Sequence, residues 1–354
     1  MIETTLIYLR KDNKILLGKK LRGFGMGKIT GVGGKFEEGE TAKECAIRET
    51  FEESGVKVTK IEEVGRVVYD NLIWKGVAER NLMHVFVATE WEGEPETSEE
   101  MELQWFAIRD IPYEKMWSDA KEYMPTLLRG EHFEAYYLYN EKYEYDQFWV
   151  KPISDELLAE AEDKDFGFND DGFEPETAWT RFGARAVLLD KNGHVCLSHG
   201  KNKGYFKLPG GGRNTGELAY ENLAREVQEE VGYTIKNIVP LGRVVEHRAK
   251  QVKNVDNYGF LCYMDKTVET KLEEDEIEDG MEAYWADNID EALKILEEES
   301  SETVASSLSY QINFWKVREM AFLRKAKQLL AKQQSSGTVA NNEADEDFGN
   351  DRDE

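Results

Sequence analysis

The feature that most constrains this chain is an internal repeat. The segment GGKFEEGETAKECAIRETFEESGV (33–56) recurs 177 residues later as GGGRNTGELAYENLAREVQEEVGY (210–233). A chain that repeats itself at this spacing folds as two copies of one domain type, and 354 residues suit two domains of ordinary size. Upstream of each copy lie paired apolar runs, TTLIYLR with KILLG and RAVLLD with HVCLS. Their turns are DN at 12–13 and NG at 192–193, so each pair reads as a hairpin. Downstream come RVVYD and LMHVFVAT in the first copy, RVVEH and NYGFLCYM in the second. The pattern predicts α/β domains with mixed sheets, the first over 1–154 and the second over 179–334.

The repeated segment contains a helix with defined ends. Thr41 and Glu44 have the spacing of a capping box and Gly55 is a stop; Gly232 stops the second copy. Glu49, Glu52 and Glu53 fall at i, i+3 and i+4, so three carboxylates share one face near the helix C-terminus. They oppose the helix dipole and repel one another, at ~0.3–1 kcal/mol each, and a cation has to offset them. Glu226, Glu229 and Glu230 repeat the arrangement. Oxygen ligands without His or Cys suit a hard divalent ion, Mg²⁺ or Mn²⁺, and not zinc. The alternative is a solvated acidic face with Arg48 and Arg225 as surface ion-pair partners.

The full pattern decides between them. It reads Gly, five residues, Glu, seven residues, Arg-Glu, any two, Glu-Glu, any one, Gly and an apolar residue. At roughly one in ten per fixed position, a chance match is on the order of 10⁻⁷ per start point, and the chain matches twice. In both halves the sequence resembles the Nudix hydrolase family, with Gly34, Glu40, Arg48, Glu49, Glu52, Glu53 and Gly55 in the first and Gly211, Glu217, Arg225, Glu226, Glu229, Glu230 and Gly232 in the second.

The resemblance implies an α/β/α sandwich that holds divalent metal, Mg²⁺ with Mn²⁺ as the alternative, against the diphosphate of a nucleotide. It further implies that Glu49, Glu52, Glu53 and the Gly34 carbonyl bind metal while Arg48 and Glu40 orient the acids. Gly211, Glu226, Glu229, Glu230, Arg225 and Glu217 act likewise in the second copy. Phosphoanhydride hydrolysis requires charge neutralisation, an activated water and in-line positioning, which such a cluster supplies. The general base is either a box glutamate, Glu53 or Glu230, or an acid on a nearby loop. Glu100, flanked by Glu99 and Glu102, is the loop candidate in the first domain; Glu278 and Asp279 are those in the second.

Over most of the first domain the resemblance extends to the oxidised-purine nucleoside triphosphatases of that family. It is carried by LLGKKLRGFGMGKITGVGGKFEEGET (16–41), WFAIRDIPYEKMWSDAKEYMPTLL (105–128) and HFEAYYLYNEKYEYDQFWV (132–150). It implies hydrolysis of 8-oxo-dGTP and related nucleotides, with Lys20, Phe24, Thr30, Trp117 and Asp119 around the base. Thr30 stands where the subgroup has Asn, and Ala120 follows Asp119 where it has a second acid. The second domain has no counterpart of the Trp-Ser-Asp stretch. Its substrate is not legible, and it reads as a second hydrolase of the family or as a nucleotide-binding regulatory module; the alternative substrate for the protein is another nucleotide, such as a nucleotide sugar or dinucleoside polyphosphate.

Charge and composition narrow the setting. A net charge of -26 argues against duplex nucleic acid as a partner. Two stretches, 162–176 and 335–354, hold 12 of those negative charges, and predict an acidic linker over 155–178 and a disordered acidic tail over 335–354. Residues 303–332 read as a helix with Leu308, Ile312, Trp315, Leu323 and Leu330 inward, and with Lys316, Arg318 and Arg324 on its surface. No apolar run approaches the ~18 residues of a spanning helix. Cys45, Cys196 and Cys262 lie far apart among apolar neighbours, which points to reduced thiols and a cytoplasmic protein; the small-molecule nucleotide substrate is what the resemblance implies.

Overall fold

Five consecutive residues, Thr5 to Leu9, are buried in the first strand, so both faces of that strand are covered. Successive side chains leave a strand on opposite faces, and here the two faces feed two cores. Leu6 and Tyr8 point into one with Val85, Val87 and Tyr123; Ile7 and Leu9 point into the other with Phe86, Ala88 and Ala46. The computed structural model describes residues 1–74, 77–142 and 144–336 and divides into unit 1, Met1–Ile153, and unit 2, which begins at Ser154.

Unit 1 contains β1 (Ile2–Lys11), β2 (Lys14–Lys20), β3 (Ile29–Thr30), β4 (Lys57–Trp74), β5 (Val77–Glu92), β6 (Met101–Ala107), β7 (His132–Tyr139) and β8 (Tyr145–Ile153). The sheet order is β3-β2-β1-β5-β4-β7-β8, with β6 on β2. Helix α1 (Ala42–Ser54) covers one face through Ala46, and α2 (Ala120–Leu128) covers the other through Ala120, Tyr123, Met124 and Leu127. The β1–β2 hairpin turns at Asp12, whose positive φ of 55° an Asp tolerates.

Unit 2 repeats the plan with β9 (Leu157–Glu162), β10 (Trp179–Leu189), β11 (Val195–Gly200), β12 (Tyr205–Lys207), β13 (Tyr233–Arg248), β14 (Lys253–Thr267) and β15 (Met281–Ala286). The order is β12-β11-β10-β14-β13-β9, with β15 on β11. Helix α3 (Ala219–Val231) packs on one face, where Tyr220 meets Phe260. After the short α4 (Glu274–Asp279), helices α5 (Ile289–Glu298) and α6 (Gln311–Ser336) cover the other face through Leu296, Phe322 and Leu323. Registers align the two units: the bridge Thr4↔Lys35 recurs as Gly183↔Gly212, and the pairing Thr4↔Met83 recurs as Gly183↔Asn257.

The segment 155–178 is not a free linker throughout. Leu157–Glu162 forms β9 and adds to β13 in parallel. Its acids find donors, Glu156 on Lys325 and Glu160 on His247, while buried Asp163 accepts from the Lys250 amide at 2.8 Å and the Tyr310 hydroxyl at 3.1 Å. Net charge hid an alternating apolar face. The expected tail over 335–354 lies outside the described residues beyond Ser336. The helix expected over 303–332 begins at Gln311, and Arg318 is buried in it instead of lying on the surface. Its guanidinium donates to Glu246 at 2.9 Å and also binds Glu319.

Removing one partner from a buried ion pair leaves an uncompensated charge and costs about 3–5 kcal/mol. Arg318→Met is therefore expected to destabilise unit 2 by that amount. Hydrogen exchange across β13 and α6 measures it; unchanged protection there contradicts the assignment.

Candidate active site

Helix α1 starts where Thr41 Oγ1 accepts the Glu44 amide while Glu44 accepts the Thr41 amide at 2.9 Å, and it ends at Gly55 with φ of 73°. Between those ends the Arg48 guanidinium gathers the acids. Its Nε donates to Glu40 at 2.6 Å, its Nη1 to Glu49 at 2.9 Å and Glu52 at 3.4 Å, and its Nη2 to the Lys35 carbonyl at 3.0 Å. The Arg48 hydrogen bond holds Glu40 down to about 2.

Glu53 lies one turn on, buried, and accepts the Gly33 amide at 2.8 Å with Lys20 Nζ at 4.0 Å. Burial dominates and lifts its carboxyl to about 7, with the Glu49 and Glu100 charges adding to the rise. Burial also raises Glu49. A Cβ on Gly34 would lie 2.3 Å from the Glu49 carboxylate, so any other residue there would displace that carboxylate. The Gly34 carbonyl accepts the Thr5 amide at 2.8 Å and keeps a second lone pair.

Beside this helix lies a cavity of about 480 Å³ whose lining includes all five residues expected around the base, Lys20, Phe24, Thr30, Trp117 and Asp119, together with Gly34 and Glu100. Phe24 stacks on Trp117 with centroids 5.0 Å apart. A Cβ on Gly25 would meet the Trp117 ring at 2.8 Å, so a glycine at φ of 78° brings the loop down onto the ring. Asp119 is buried and accepts the Tyr69 hydroxyl at 2.6 Å; burial raises its carboxyl. Tyr8 and Tyr123 share a hydrogen bond of 2.9 Å deeper in. Glu100 is at the rim, bound and held low by Arg22. Tyr69 and Tyr8 carry no motif signal; alternation within their strands gave only their burial.

In unit 2 the Arg225 guanidinium repeats the role of Arg48, reaching Glu217 at 2.8 Å, Glu229 at 2.9 Å, Glu226 at 2.9 Å and the Gly212 carbonyl at 3.2 Å. A Cβ on Gly211 would lie 2.3 Å from Glu226, and the Gly211 carbonyl accepts the Ala184 amide at 3.1 Å. Glu230 differs from Glu53. It accepts from Lys207 Nζ at 2.7 Å, Ser198 Oγ at 2.8 Å and the Gly210 amide at 3.1 Å. Burial works to raise it, yet Lys207 and these donors prevail and its carboxyl is lowered.

Of the loop acids expected in unit 2, Asp279 is engaged by Lys203 at 2.5 Å and the Tyr205 hydroxyl at 2.8 Å, and Glu278 is exposed. The acid beside Glu230 is Glu276, raised to about 7 by burial and by the Glu230 charge. A run as uniformly acidic as EEDEIED gave no signal for choosing it.

The donor sets Glu49, Glu52, Glu53 with Gly34 and Glu226, Glu229, Glu230 with Gly211 are all oxygen and fit a hard divalent ion in kind. Each set includes a glycine where a side chain would fill the space. They are not drawn together. Arg48 and Arg225 hold two or more of the acids, and among the described residues no three His, Cys, Asp or Glu side chains close on one point. Among those residues no helix is long and apolar enough to cross a membrane.

A NUDIX domain model matches residues 2–127 and again 179–305. The first domain is similar to the oxidized purine nucleoside triphosphate hydrolase of Danio rerio, 40% identical over 133 residues, which is 38% of this chain and 83% of the relative. The corresponding Mus musculus protein is 37% identical over 138 residues, 39% of this chain and 86% of the relative. The NAD-capped RNA hydrolase NudC of Vibrio parahaemolyticus is 31% identical over 109 residues, 30% of this chain and 39% of that protein. Among solved structures, a MutT protein from Bacillus halodurans is 25% identical, covers 43% of this chain and 98% of its own, and gives a TM-score of 0.38.

Glu53 and Glu230 hold the same box position in opposite environments, which sets opposite outcomes for their amides. The folded pKa of Glu53 lies above its ordinary 4.5, so the native state binds the extra proton between 4.5 and about 7, and metal-free stability falls as pH rises through that window. Glu53→Gln should abolish that fall and stabilise unit 1 at pH 8 by on the order of 2 kcal/mol. Glu230→Gln should destabilise unit 2 by about 3 kcal/mol, since Lys207 loses its partner. Hydrogen exchange in EDTA reads both; shifts of the same sign refute the contrast.

Proposed function

Because this chain belongs to the Nudix family of phosphoanhydride hydrolases, matched in both halves, we propose that unit 1 hydrolyses a damaged purine nucleoside triphosphate. The substrate is of the 8-oxo-dGTP type, and the products are the monophosphate and diphosphate. One observation carries this: Lys20, Phe24, Thr30, Trp117 and Asp119 surround a single cavity that runs to Gly33 and Gly34, where the helix acids begin. A base seated between the aromatic pair and the Asp119 carboxylate would direct its phosphates toward the end of α1. Stacking and a few convergent polar groups are what such recognition requires.

Glu49, Glu52, Glu53 and the Gly34 carbonyl would hold Mg²⁺ or Mn²⁺, which when bound neutralises the non-bridging oxygens and acidifies a water. Arg48 holds Glu49 and Glu52 on one side, and these two acids would have to leave its hydrogen bonds to hold the ion. Glu53, one oxygen of which accepts the Gly33 amide, would take the proton of the attacking water. Glu100 is the alternative base and would first have to leave Arg22. The new P–O bond forms from that water as the anhydride P–O bond breaks, and the released diphosphate carries away the electron pair.

Unit 2 has the same acids and the same arginine, and we assign it hydrolysis of a different nucleotide, with Glu230 or Glu276 as base. Where unit 1 has Tyr69 in its cavity, opposite Asn81, unit 2 has Glu246, opposite Val255, fully buried and bound by Arg248 and Arg318. No tyrosine stands at that position of unit 2 to seat a base. The three free, buried cysteines and the net charge of -26 support a reducing compartment and a small-molecule substrate in place of duplex nucleic acid.

With Glu230→Gln already present, Glu53→Gln should lower Mg²⁺-dependent turnover of 8-oxo-dGTP by about 10²-fold or more. Retained turnover defeats the assignment. Asp119 offers one oxygen to the base while the other stays on Tyr69, and one such contact is worth about 1–3 kcal/mol. Asp119→Ala should shrink the ratio of kcat/KM for 8-oxo-dGTP over dGTP by roughly tenfold. An unchanged ratio places the base elsewhere.

A further inference from the structure

The face of the unit 2 sheet that corresponds to the unit 1 base cavity is built for a different ligand. Registers give the correspondence position by position. Ile2, Thr4 and Leu6 on β1 become Arg181, Gly183 and Arg185 on β10, and Met83 on β5 becomes Asn257 on β14. Ile2, Thr4, Leu6 and Met83 all line the unit 1 cavity. Three apolar contacts have been exchanged for two guanidinium groups and an amide, and a threonine for Gly183, where a Cβ would meet the Gly211 carbonyl at 2.6 Å and Asn257 Oδ1 at 2.8 Å.

Two of the new groups carry donors that lack acceptors among the described residues. Asn257 is 1% exposed, and its Nδ2 has no hydrogen-bond partner there. The buried Arg185 donates from Nη1 to the Ala184 carbonyl at 3.0 Å, but its Nε is likewise without a hydrogen bond, with Glu319 at 3.8 Å. Glu319 in turn is bound by Arg318. Arg181, exposed at the rim, lies across Gly212, beside the box glycine Gly211. Lys253, on the same face of β14, is half-buried; burial and the adjacent Arg248 and Arg181 push its amine below the ordinary range. The acid whose charge reaches it, Glu246, is already taken by Arg248 and Arg318. Buried donors without acceptors are costly, and guanidinium groups with an amine and an amide suit a phosphate.

The geometry points to a phosphate subsite on this face: the nucleotide taken by unit 2 carries a further phosphoryl group on its nucleoside end, where unit 1 would hold an apolar base, and Arg181, Arg185, Asn257 and Lys253 receive it. This rests on reading unit 2 as a nucleotide site. Arg181 and Lys253 guide the group from solvent, and Arg185 with Asn257 closes on it at the floor. A neutral base would leave Asn257 Nδ2 and Arg185 Nε unmatched, whereas a phosphate supplies acceptors for both.

The test uses the full chain in EDTA, so that no metal at the box contributes, with AMP and its 2′-phosphorylated and 3′-phosphorylated forms titrated by calorimetry. At least one doubly phosphorylated form should bind about tenfold tighter than AMP, and the preference should weaken as salt is raised. Arg181→Ala and Lys253→Ala, at partly exposed positions in unit 2, should each cut that preference roughly threefold or more while leaving AMP binding intact. Equal affinity for the three nucleotides, or a preference that both variants retain, overturns the inference. Turnover of a nucleotide panel in Mg²⁺ by the Glu53→Gln chain, and its loss on adding Glu230→Gln, tests hydrolysis in unit 2 separately. Binding with no turnover leaves the subsite standing and removes the hydrolase reading.

Discussion

Everything at the two sites depends on one guanidinium in each. A helix that ends in a cluster of glutamates works against its own dipole. Arg48 answers that by reaching Glu40 on the preceding loop and Glu49 and Glu52 on the helix at once. Arg225 does the same with Glu217, Glu226 and Glu229. The planar, always-charged group can bind two carboxylates along separate edges, which a lysine amine could not hold in fixed register. Without it, Glu40 and Glu217 would lose their tie to the helix, while Glu53 and Glu230 are held separately by the Gly33 and Gly210 amides. The glycines at 34 and 211 complete the arrangement by letting each clamped carboxylate lie against bare backbone.

On that common frame the two copies diverge. Lys20 stands 4.0 Å from Glu53, whereas Lys207 is in direct contact with Glu230 at 2.7 Å. The first glutamate is buried with little compensation and the second is buried and matched. The same divergence runs through the cavity face, tyrosines and methionine in unit 1 against arginines, asparagine and glutamate in unit 2. Identical box residues thus coexist with unlike surroundings. The box sets the chemistry, and the strand faces beside it set what is recognised.

The helix, its caps and its acids were legible in the sequence because they are local. Thr41, Glu44 and Gly55 signal through neighbours three or four residues away, and two copies removed the element of chance. The hairpins were legible for the same reason. Features that depend on distant partners were not. Arg318 looks like a surface residue on a basic helix face until Glu246, 72 positions away, is brought beside it. β9 looks like linker because charge counting ignores the alternation of Ala159 and Ala161 with Glu160 and Glu162, and Glu160 finds its donor in distant His247. Glu276 could not be told from the acids around it, since only the fold brings it to Glu230. Tyr69 and Asp119 lie 50 residues apart, and their pairing is a property of the closed sheet and not of either segment.

The addition of β9 to β13 has a consequence for where this protein can be divided. The recurring family module ends its second match at residue 305 and begins it at 179, so it excludes both β9 and α6. Yet β9 covers the outer edge of the second sheet, and Phe166 just beyond it packs edge-on against Phe314 of α6 at 4.8 Å. A fragment cut to the module's limits would bare the amides and carbonyls of β13 along a row, the kind of edge that invites a second chain to pair. What recurs as a module is smaller here than what must stay together, and the surplus is a strand before it and a helix after it. The natural seam lies at Ser154, where the first residues of unit 2 are already committed to its sheet.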